Sequence, residues 1–433
     1  MIGLVVASNG VGRAGGDMQA AAELIEADGD APLGRPIAPP LYLLTTAVSG
    51  ASQGFVTVTL GYVLSQHGFS VAAIGALIGL RLLPETWRVL IGPLLDLSFN
   101  ARFWYLVGAI AVALCTALFA ILPLDPAYGG LFSLLALALG ISANICIVAQ
   151  TTGISITTPV RTRGKIAGWT QAGTLGGVGL GGGLGLWLAS HFGMSASALG
   201  IALLLLACAT PMLTIRTPRP AAAMKLPAVC RELGREIASL IASRAGLLSI
   251  LAVTLPMGLG AFTGLLSSVA GDWHASADLT ASTSGVLAGL ASVPGCLIGG
   301  RLCDRHDPRI VLAWSGLACA LGEAMMAFGP RTPDAFVAFT LLNNVLLGVA
   351  YAAVAGVVYV ALKSVSGGTI GALLGSLCNV PLVTMTVLLG NAAAHYGSTG
   401  MMAIEATLGV GASVFYGLIA ILWRRPMAAP VPA

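Results

Sequence analysis

Twelve stretches of roughly 20 apolar residues follow one another along this chain of 433 residues. A helix of about 20 apolar residues crosses the hydrocarbon core of a bilayer, which is roughly 30 Å thick. Charged residues make up only 9% of the chain, too few to cover the surface of a water-soluble protein of this size. The short alternating segments of membrane-spanning strands do not occur. The sequence therefore predicts an all-α integral membrane protein.

The apolar runs give the expected positions of twelve transmembrane helices. In chain order, runs 1 to 12 cover residues 40–64, 71–97, 104–123, 129–152, 165–189, 195–214, 246–269, 282–303, 309–328, 334–361, 367–392 and 401–423. Most of the 57 glycines lie inside these runs, as is typical of helices that pack closely in lipid.

A short signature occurs once in each half of the chain. Residues 92–96 read GPLLD at the end of run 2, and residues 300–305 read GRLCDR at the end of run 8. The two copies lie about half the chain length apart, and each follows the second apolar run of its half. This duplication predicts two pseudo-symmetric six-helix bundles, residues 38–214 and 246–425.

Three segments lie outside the predicted bundles. Residues 1–37, which are acidic and rich in Gly and Pro toward their end, are expected to form a disordered cytoplasmic leader. Residues 426–433 form a short tail. In the linker 215–245, apolar residues recur at helical spacing among Arg and Glu, which predicts an amphipathic helix on the inner membrane face. A solvated linker helix is the alternative.

The basic residues predict the orientation. Lys and Arg total 21, and most of them lie on the side of the membrane that holds both termini. The positive-inside rule therefore places both termini in the cytoplasm. The net charge of +4 reflects this asymmetry and implies no nucleic-acid partner. We expect a multi-pass, monomeric protein of the bacterial inner membrane, with lipid as its solvent.

Three charged residues lie inside run 2. Arg81, Glu85 and Arg88 would each cost about 2.5–3.5 kcal/mol at the centre of a lipid-exposed helix, so we expect them to face a cavity or one another. Their spacing places all three on one helical face, where Glu85 can bridge both arginines. The trio keeps a net charge of +1, which predicts binding of an anionic solute, with Glu85 alternating between pairing and protonation. The alternative is an ion network that fastens helix 2 to helix 11 or to the loops.

The duplicated signature resembles the Gly-x-Leu-x-Asp loop of the major facilitator superfamily. Gly300, Asp304 and Arg305 match that loop in the second half, and Gly92 and Asp96 match it in the first half, where leucine replaces the basic residue that commonly follows. The resemblance implies two bundles around a central cavity that opens alternately to either side, usually driven by a proton gradient. It also implies gating roles for these five residues.

A narrower resemblance concerns the spacing of Arg88, Pro93 and Asp96 in run 2, which is similar to AmpG-type muropeptide permeases and the related acetyl-CoA transporters. Those proteins carry Trp where Ile91 stands and usually Lys in place of Arg88. We expect secondary active transport of a small, anionic solute, coupled to protons and directed inward. A scaffold without transport activity, like the pigment-assembly proteins that share this architecture, is the alternative.

Uncharged polar residues extend the candidate site. The resemblance places helices 1, 4, 7 and 10 around the cavity, so Asn144, Asn343 and Asn344 are expected to line it, with Tyr351 as a stacking partner. Interhelical hydrogen bonding is the competing role. A broader set of amides lies elsewhere in the runs: Gln53, Gln150, Gln171 and Asn379. Glu323 and Glu405 also have apolar surroundings, where we expect them to reach the headgroups or bind a neighbouring amide.

Run 5 carries glycines at four-residue intervals: Gly173, Gly177, Gly181 and Gly185. Such a stripe lets another backbone approach closely and would permit sliding between two conformations. Static packing is the alternative.

Several enzyme classes have no support in the sequence. It contains no Walker-type phosphate loop, no His-Glu-x-x-His zinc helix and no Gly-x-Ser-x-Gly elbow. The eight cysteines show no paired spacing, so we expect neither disulfides nor a metal site. The chain is therefore predicted to be no enzyme and to need no cofactor.

Overall fold

The computed structural model describes most of the chain. It covers residues 37–69, 71–92, 95, 100–159, 162–215, 226–276, 279–280, 282–361 and 367–423. Asp96, the predicted leader up to residue 36, part of the linker and the predicted tail lie outside the described residues.

Regular secondary structure in this described part is entirely helical, as the apolar runs predict. We number the membrane helices α1 to α12. They are α1 (Leu41–Gln66), α2 (Val71–Thr86), α3 (Ala101–Leu118), α4 (Gly129–Thr157), α5 and α6 within Arg163–Ala209, α7 (Arg244–Thr254), α8 (Ser282–Arg305), α9 (Pro308–Phe328), α10 (Pro333–Ala361), and α11 and α12 within Gly367–Leu422. The linker helix, Leu226–Ala242, precedes α7.

Two helix pairs turn at a single glycine. Gly193 has a φ of 86° between α5 (163–192) and α6 (194–209), and Gly397 has a φ of 67° between α11 (367–396) and α12 (398–422). Only glycine adopts such a φ without strain. Each helix pair is therefore joined through a single glycine residue. Nine stretches of described residues are long and apolar enough to span a membrane, and one of these, Arg163–Thr214, contains both α5 and α6. Together with α2 and α7 they make twelve spans.

The helices form two bundles that meet along α5 and α8. In the first bundle α5 packs against α1, and α4 packs against α2 and α3; in the second, α8 and α9 pack against α10, and α9 packs against α12. The contact between bundles depends on glycine: Gly179 of α5 lies against Gly289 of α8, and Gly168 lies against Gly300. Small residues allow this close backbone approach.

Run 7 was predicted as one span over 246–269, and this prediction is wrong. The α-helix ends at Thr254, and short helical turns resume only at Ala261–Gly264. Pro256 lacks a backbone N–H, and Gly258 and Gly260 have φ values of 57° and 62°, in the left-handed region. The seventh membrane helix is therefore broken near its middle.

Run 2 is also less regular than predicted. Its α-helix ends at Thr86 and gives way to a 3₁₀ turn at Arg88–Leu90. Pro84 removes one backbone donor from the last turn of the α-helix. Arg88 consequently lies beyond the regular helix and not on a straight continuation of it.

Candidate functional site

A cavity lined by polar and apolar residues lies between the two bundles. Its volume is about 270 Å³, and α1, α2, α4, α5, α7, α10 and α11 all contribute to its wall. The polar side chains that line it are Thr46, Ser49, Gln53, Arg81, Glu85, Arg88, Gln150, Thr151, Thr170, Gln171, Thr174, Tyr351, Tyr359 and Asn379. The only charged residues of this lining are the three from run 2, so its formal charge is +1.

Glu85 bridges both arginines, as the spacing predicts, but it does so unequally. Its Oε1 lies 2.7 Å from Nη1 of Arg81, whereas its Oε2 lies 3.7 Å from Nη2 of Arg88. Arg81 is almost fully buried, with 1% of its side chain exposed, and Glu85 retains 20%. The carboxylate of Glu85 therefore neutralises mainly the charge of Arg81, with which it forms the shorter and more buried ion pair.

Arg88 is held from a different direction. Its Nε donates to Oδ1 of Asn144, 2.7 Å away, and Asn144 in turn donates to the carbonyl of Gly140. The Arg88 side chain is 13% exposed. Since Glu85 is paired closely with Arg81, the surplus positive charge of the cavity lies mainly on Arg88, whose Nη2 faces Glu85 and whose Nη1 lies against Gly375.

Two buried donors at the cavity have no hydrogen-bond partner among the described residues. They are Nε of Arg81 and Nε2 of Gln150, both of which belong to lining residues. A buried donor without a partner is costly, so water or a polar ligand is expected to satisfy it. The wall thus offers donors from α2 and from α4.

Backbone groups of run 2 are hydrogen-bonded to α11, and Nη1 of Arg88 lies against Gly375 of the same helix. Asn379 Nδ2 donates to the carbonyl of Glu85 at 3.2 Å, and the amide of Val89 donates to Oγ of Ser376 at 3.3 Å. Both charged ends of the trio still reach the cavity lining. Both roles expected for the trio, binding of a solute and fastening of helix 2 to helix 11 or to the loops, therefore stay predictions.

The neutral candidates separate into two groups. Tyr351 lines the cavity and donates to the carbonyl of Leu259 at 3.4 Å, and Asn144 holds Arg88. Asn343 and Asn344 are not among the residues that line the cavity. They donate instead to carbonyls within the second bundle, Asn343 to Gly322 and Asn344 to Thr340. Asn144 does not line the cavity either, and it reaches the site only through Arg88, so the expected placement of all three asparagines in the cavity wall is wrong.

The bundles are tied together on the membrane face that holds the start of α1 and the end of α12, which we call the terminal face. The amide of Lys165 donates to Oδ1 of Asp304 at 2.6 Å, and Nη1 of Arg163 donates to the carbonyl of Tyr359 at 2.8 Å. Asp304 therefore caps the first turn of α5. Gly92 lies directly against Thr369, whereas Arg305 is exposed.

The predicted glycine stripe of α5 faces α1. A methyl group at Gly173 would clash with the carbonyl of Leu43, and one at Gly181 would clash with the carbonyl of Ala51. Methyl groups at Gly177 and Gly185 would likewise press on α1, against Ala47 and Thr59. The stripe is thus part of the packing inside one bundle, while other glycines of α5 face α8.

Metal-ligating residues do not cluster in the described part of the chain: no group of three or more His, Cys, Asp or Glu occurs there. The seven cysteines described by the structure are all free.

Two helical bundles around a shared polar cavity define a membrane transporter. The family model of the Major Facilitator Superfamily matches residues 42–380, and the chain belongs to that superfamily. Members of the superfamily are transporters and not enzymes. A comparison with curated protein sequences finds no significant match.

Solved structures with this fold include transporters of different solutes. The human organic anion transporter MFSD10 (TETRAN) is 18% identical with a TM-score of 0.68, covering 87% of this chain and 99% of its own. The proton:xylose symporter XylE bound to 6-bromo-6-deoxy-D-glucose is 14% identical, with a TM-score of 0.64. The match covers 89% of this chain and 98% of XylE. FucP in the outward conformation is also 14% identical, with a TM-score of 0.65. The match covers 88% of this chain and 97% of FucP. At these identities the likeness concerns the fold alone.

Proposed function

We propose that this protein is a secondary active transporter of a small organic anion, and that Arg88 is the main anion ligand. The observation that carries the proposal is the asymmetry of the trio: Glu85 lies 2.7 Å from Arg81 but 3.7 Å from Arg88. The guanidinium of Arg88 thus keeps positive charge that a carboxylate or phosphate can bind. The hydrogen bond from Nε of Arg88 to Asn144 fixes the orientation of the guanidinium.

The dimensions of the cavity favour a small solute. Pockets for drug-sized ligands measure about 300–1,000 Å³, and the cavity of about 270 Å³ falls just below that range. A muropeptide, which is a disaccharide carrying a peptide, or a coenzyme A ester exceeds this size. The spacing of Arg88, Pro93 and Asp96 still supports kinship with AmpG-type and acetyl-CoA transporters, but we propose a smaller substrate than theirs.

Orientation and coupling complete the proposal. If the positive-inside rule applies, the terminal face is cytoplasmic, and the contacts there close the cavity toward the cytoplasm. We propose import as the direction of transport. Glu85 is our candidate coupling group, because a proton on its carboxylate would release Arg81 and raise the cavity charge. We also propose that the protein is a monomer and that it lies in a bacterial inner membrane.

Binding can be tested on purified protein before any substrate is known. Small mono- and dicarboxylates and sugar phosphates, with neutral sugars as a comparison set, are screened for an increase in melting temperature. A ligand at 100 times its dissociation constant stabilises the folded state by about 2.7 kcal/mol. We expect at least one anion to stabilise the wild type and to lose this effect in Arg88→Ala.

A matched control removes a positive charge elsewhere. Arg231→Ala changes the exposed linker helix and should leave the anion effect intact. Stabilisation by neutral sugars alone, or by anions equally in Arg88→Ala, would show that Arg88 does not bind the substrate.

A further inference from the structure

Two carboxylic acids are buried in the second bundle, away from the proposed substrate site. Glu323 of α9 is 3% exposed and Glu405 of α12 is 5% exposed. Neither belongs to the residues that line the cavity.

The packing of α9 against α12 places these two side chains opposite each other. Gly316 lies against Ser413, and Ala320 lies against Gly409, so the helices are antiparallel. One further turn along α9 reaches Glu323, and one further turn back along α12 reaches Glu405. The register of the two helices therefore makes the two carboxyl groups neighbours.

Glu405 also binds the broken seventh helix. Its Oε1 accepts the amide of Ala261 and its Oε2 accepts the amide of Phe262, both at 2.8 Å. These amides begin the short helical turn that follows the break, so the carboxylate caps that turn. Directly before the turn, Gly258 and Leu259 line the cavity. One carboxylate thus fixes a segment whose other side forms the cavity wall.

The surroundings supply no counter-charge. No salt bridge among the described residues involves Glu323 or Glu405. Among the described residues, the other titratable groups beside the break are Cys319 of α9, whose Sγ lies against Gly258, and Tyr351 of α10, which donates to the carbonyl of Leu259. Arg331, in the loop after α9, binds Ser398, Thr399 and the carbonyl of Ala327 instead.

Two neighbouring buried carboxyl groups without a cation cannot both be ionised at low cost. Glu405, which accepts two amide hydrogen bonds, is the better place for the negative charge. Glu323 is then the better place for a proton. Oδ1 of Asn343 lies against Gly322, next to Glu323, and is buried without a hydrogen-bond partner among the described residues.

We propose that Glu405 is a positioning residue that holds the break of α7 against the cavity, and that Glu323 makes this hold depend on pH. With one proton on the pair, the Glu405 carboxylate caps the turn after the break. A second proton, bound at acidic pH, removes an acceptor from that cap. At alkaline pH Glu323 loses its proton, and the two adjacent negative charges then repel each other and weaken the cap that Glu405 forms. The proposal rests on the proposed function only in taking the cavity as the substrate site.

Hydrogen exchange of the purified protein tests this directly, without any substrate. Amides in the peptide covering residues 257–265 should be best protected at intermediate pH, after correction for intrinsic exchange. Glu405→Gln should raise their exchange by about ten-fold at intermediate pH, because hydrogen bonds to a charged group are lost, and should match the wild type at acidic pH, where Glu405 is already neutral. Glu323→Gln should abolish only the alkaline loss of protection.

Two controls keep the outcome interpretable. Asp334→Asn removes an exposed carboxylate from the same bundle and should change nothing. Exchange in α3 reports whether each variant remains folded. Unchanged exchange at 257–265 in Glu405→Gln at intermediate pH, or an alkaline loss of protection that persists in Glu323→Gln, overturns the proposal. Because no solute is present, this result is independent of whether the protein transports anions.

Discussion

Replacing Glu85 with glutamine should move stability and anion affinity in opposite directions. The substitution removes the carboxylate 2.7 Å from Arg81, whose side chain is 1% exposed. Removing one member of a buried ion pair costs about 3–5 kcal/mol. Because Glu85 is 20% exposed to the cavity, we expect a cost below this range, about 2–3 kcal/mol. For a bundle of this size, the melting temperature should fall by roughly 5–10 °C.

Anion binding should become stronger in the same variant. An anion that accepts a hydrogen bond of about 2.8 Å from Nη2 of Arg88 would lie at most roughly 7 Å from Oε2 of Glu85, because that oxygen is 3.7 Å from the same nitrogen. At an effective dielectric constant of about 20, the repulsion at that distance is about 2 kcal/mol. Its removal should tighten the best anion of the binding screen by roughly 30-fold. Calorimetric titration measures this change, and weaker binding in Glu85→Gln would refute the assignment of charges.

Two further predictions concern packing and gating. Gly181→Leu should abolish folded expression, because any side chain there meets the carbonyl of Ala51, whereas Gly75→Ala, which has nothing within 4 Å, should express normally by size-exclusion chromatography. Asp304→Asn should weaken the closure of the terminal face by about 1–2 kcal/mol, since it removes the negative charge that caps α5. Thiol labelling of a single cysteine placed at Thr369 should then accelerate, and an unchanged labelling rate would contradict this role.

Apolar length was sufficient to predict the class and the number of spans, because lipid demands it of every membrane helix. It was not sufficient for α7. Pro256, Gly258 and Gly260 are visible in the sequence, but they lie inside an apolar run, where hydropathy does not register a broken backbone. The break depends on Glu405, 144 residues later, which satisfies the amides that it exposes.

The candidate site was predictable only where one helix determines it. The bridge from Glu85 to the arginines follows from spacing along α2. The placement of Asn343 and Asn344 needed the rotation of α10, and an apolar helix surrounded by protein and lipid shows no amphipathic face from which to read that rotation. Likewise, the apposition of Glu323 and Glu405 arises from the register of two helices, which neither sequence segment encodes alone.

Solute flux tests the central claim most directly. Proteoliposomes containing wild type, Arg88→Ala or Arg231→Ala are given the radiolabelled anion that stabilises the wild type most, with and without an imposed inward proton gradient. We predict saturable uptake that the gradient accelerates, that Arg231→Ala retains and that Arg88→Ala loses. Equal uptake by Arg88→Ala, or no flux of any anion through correctly inserted wild-type protein, would contradict a cavity built for anion transport.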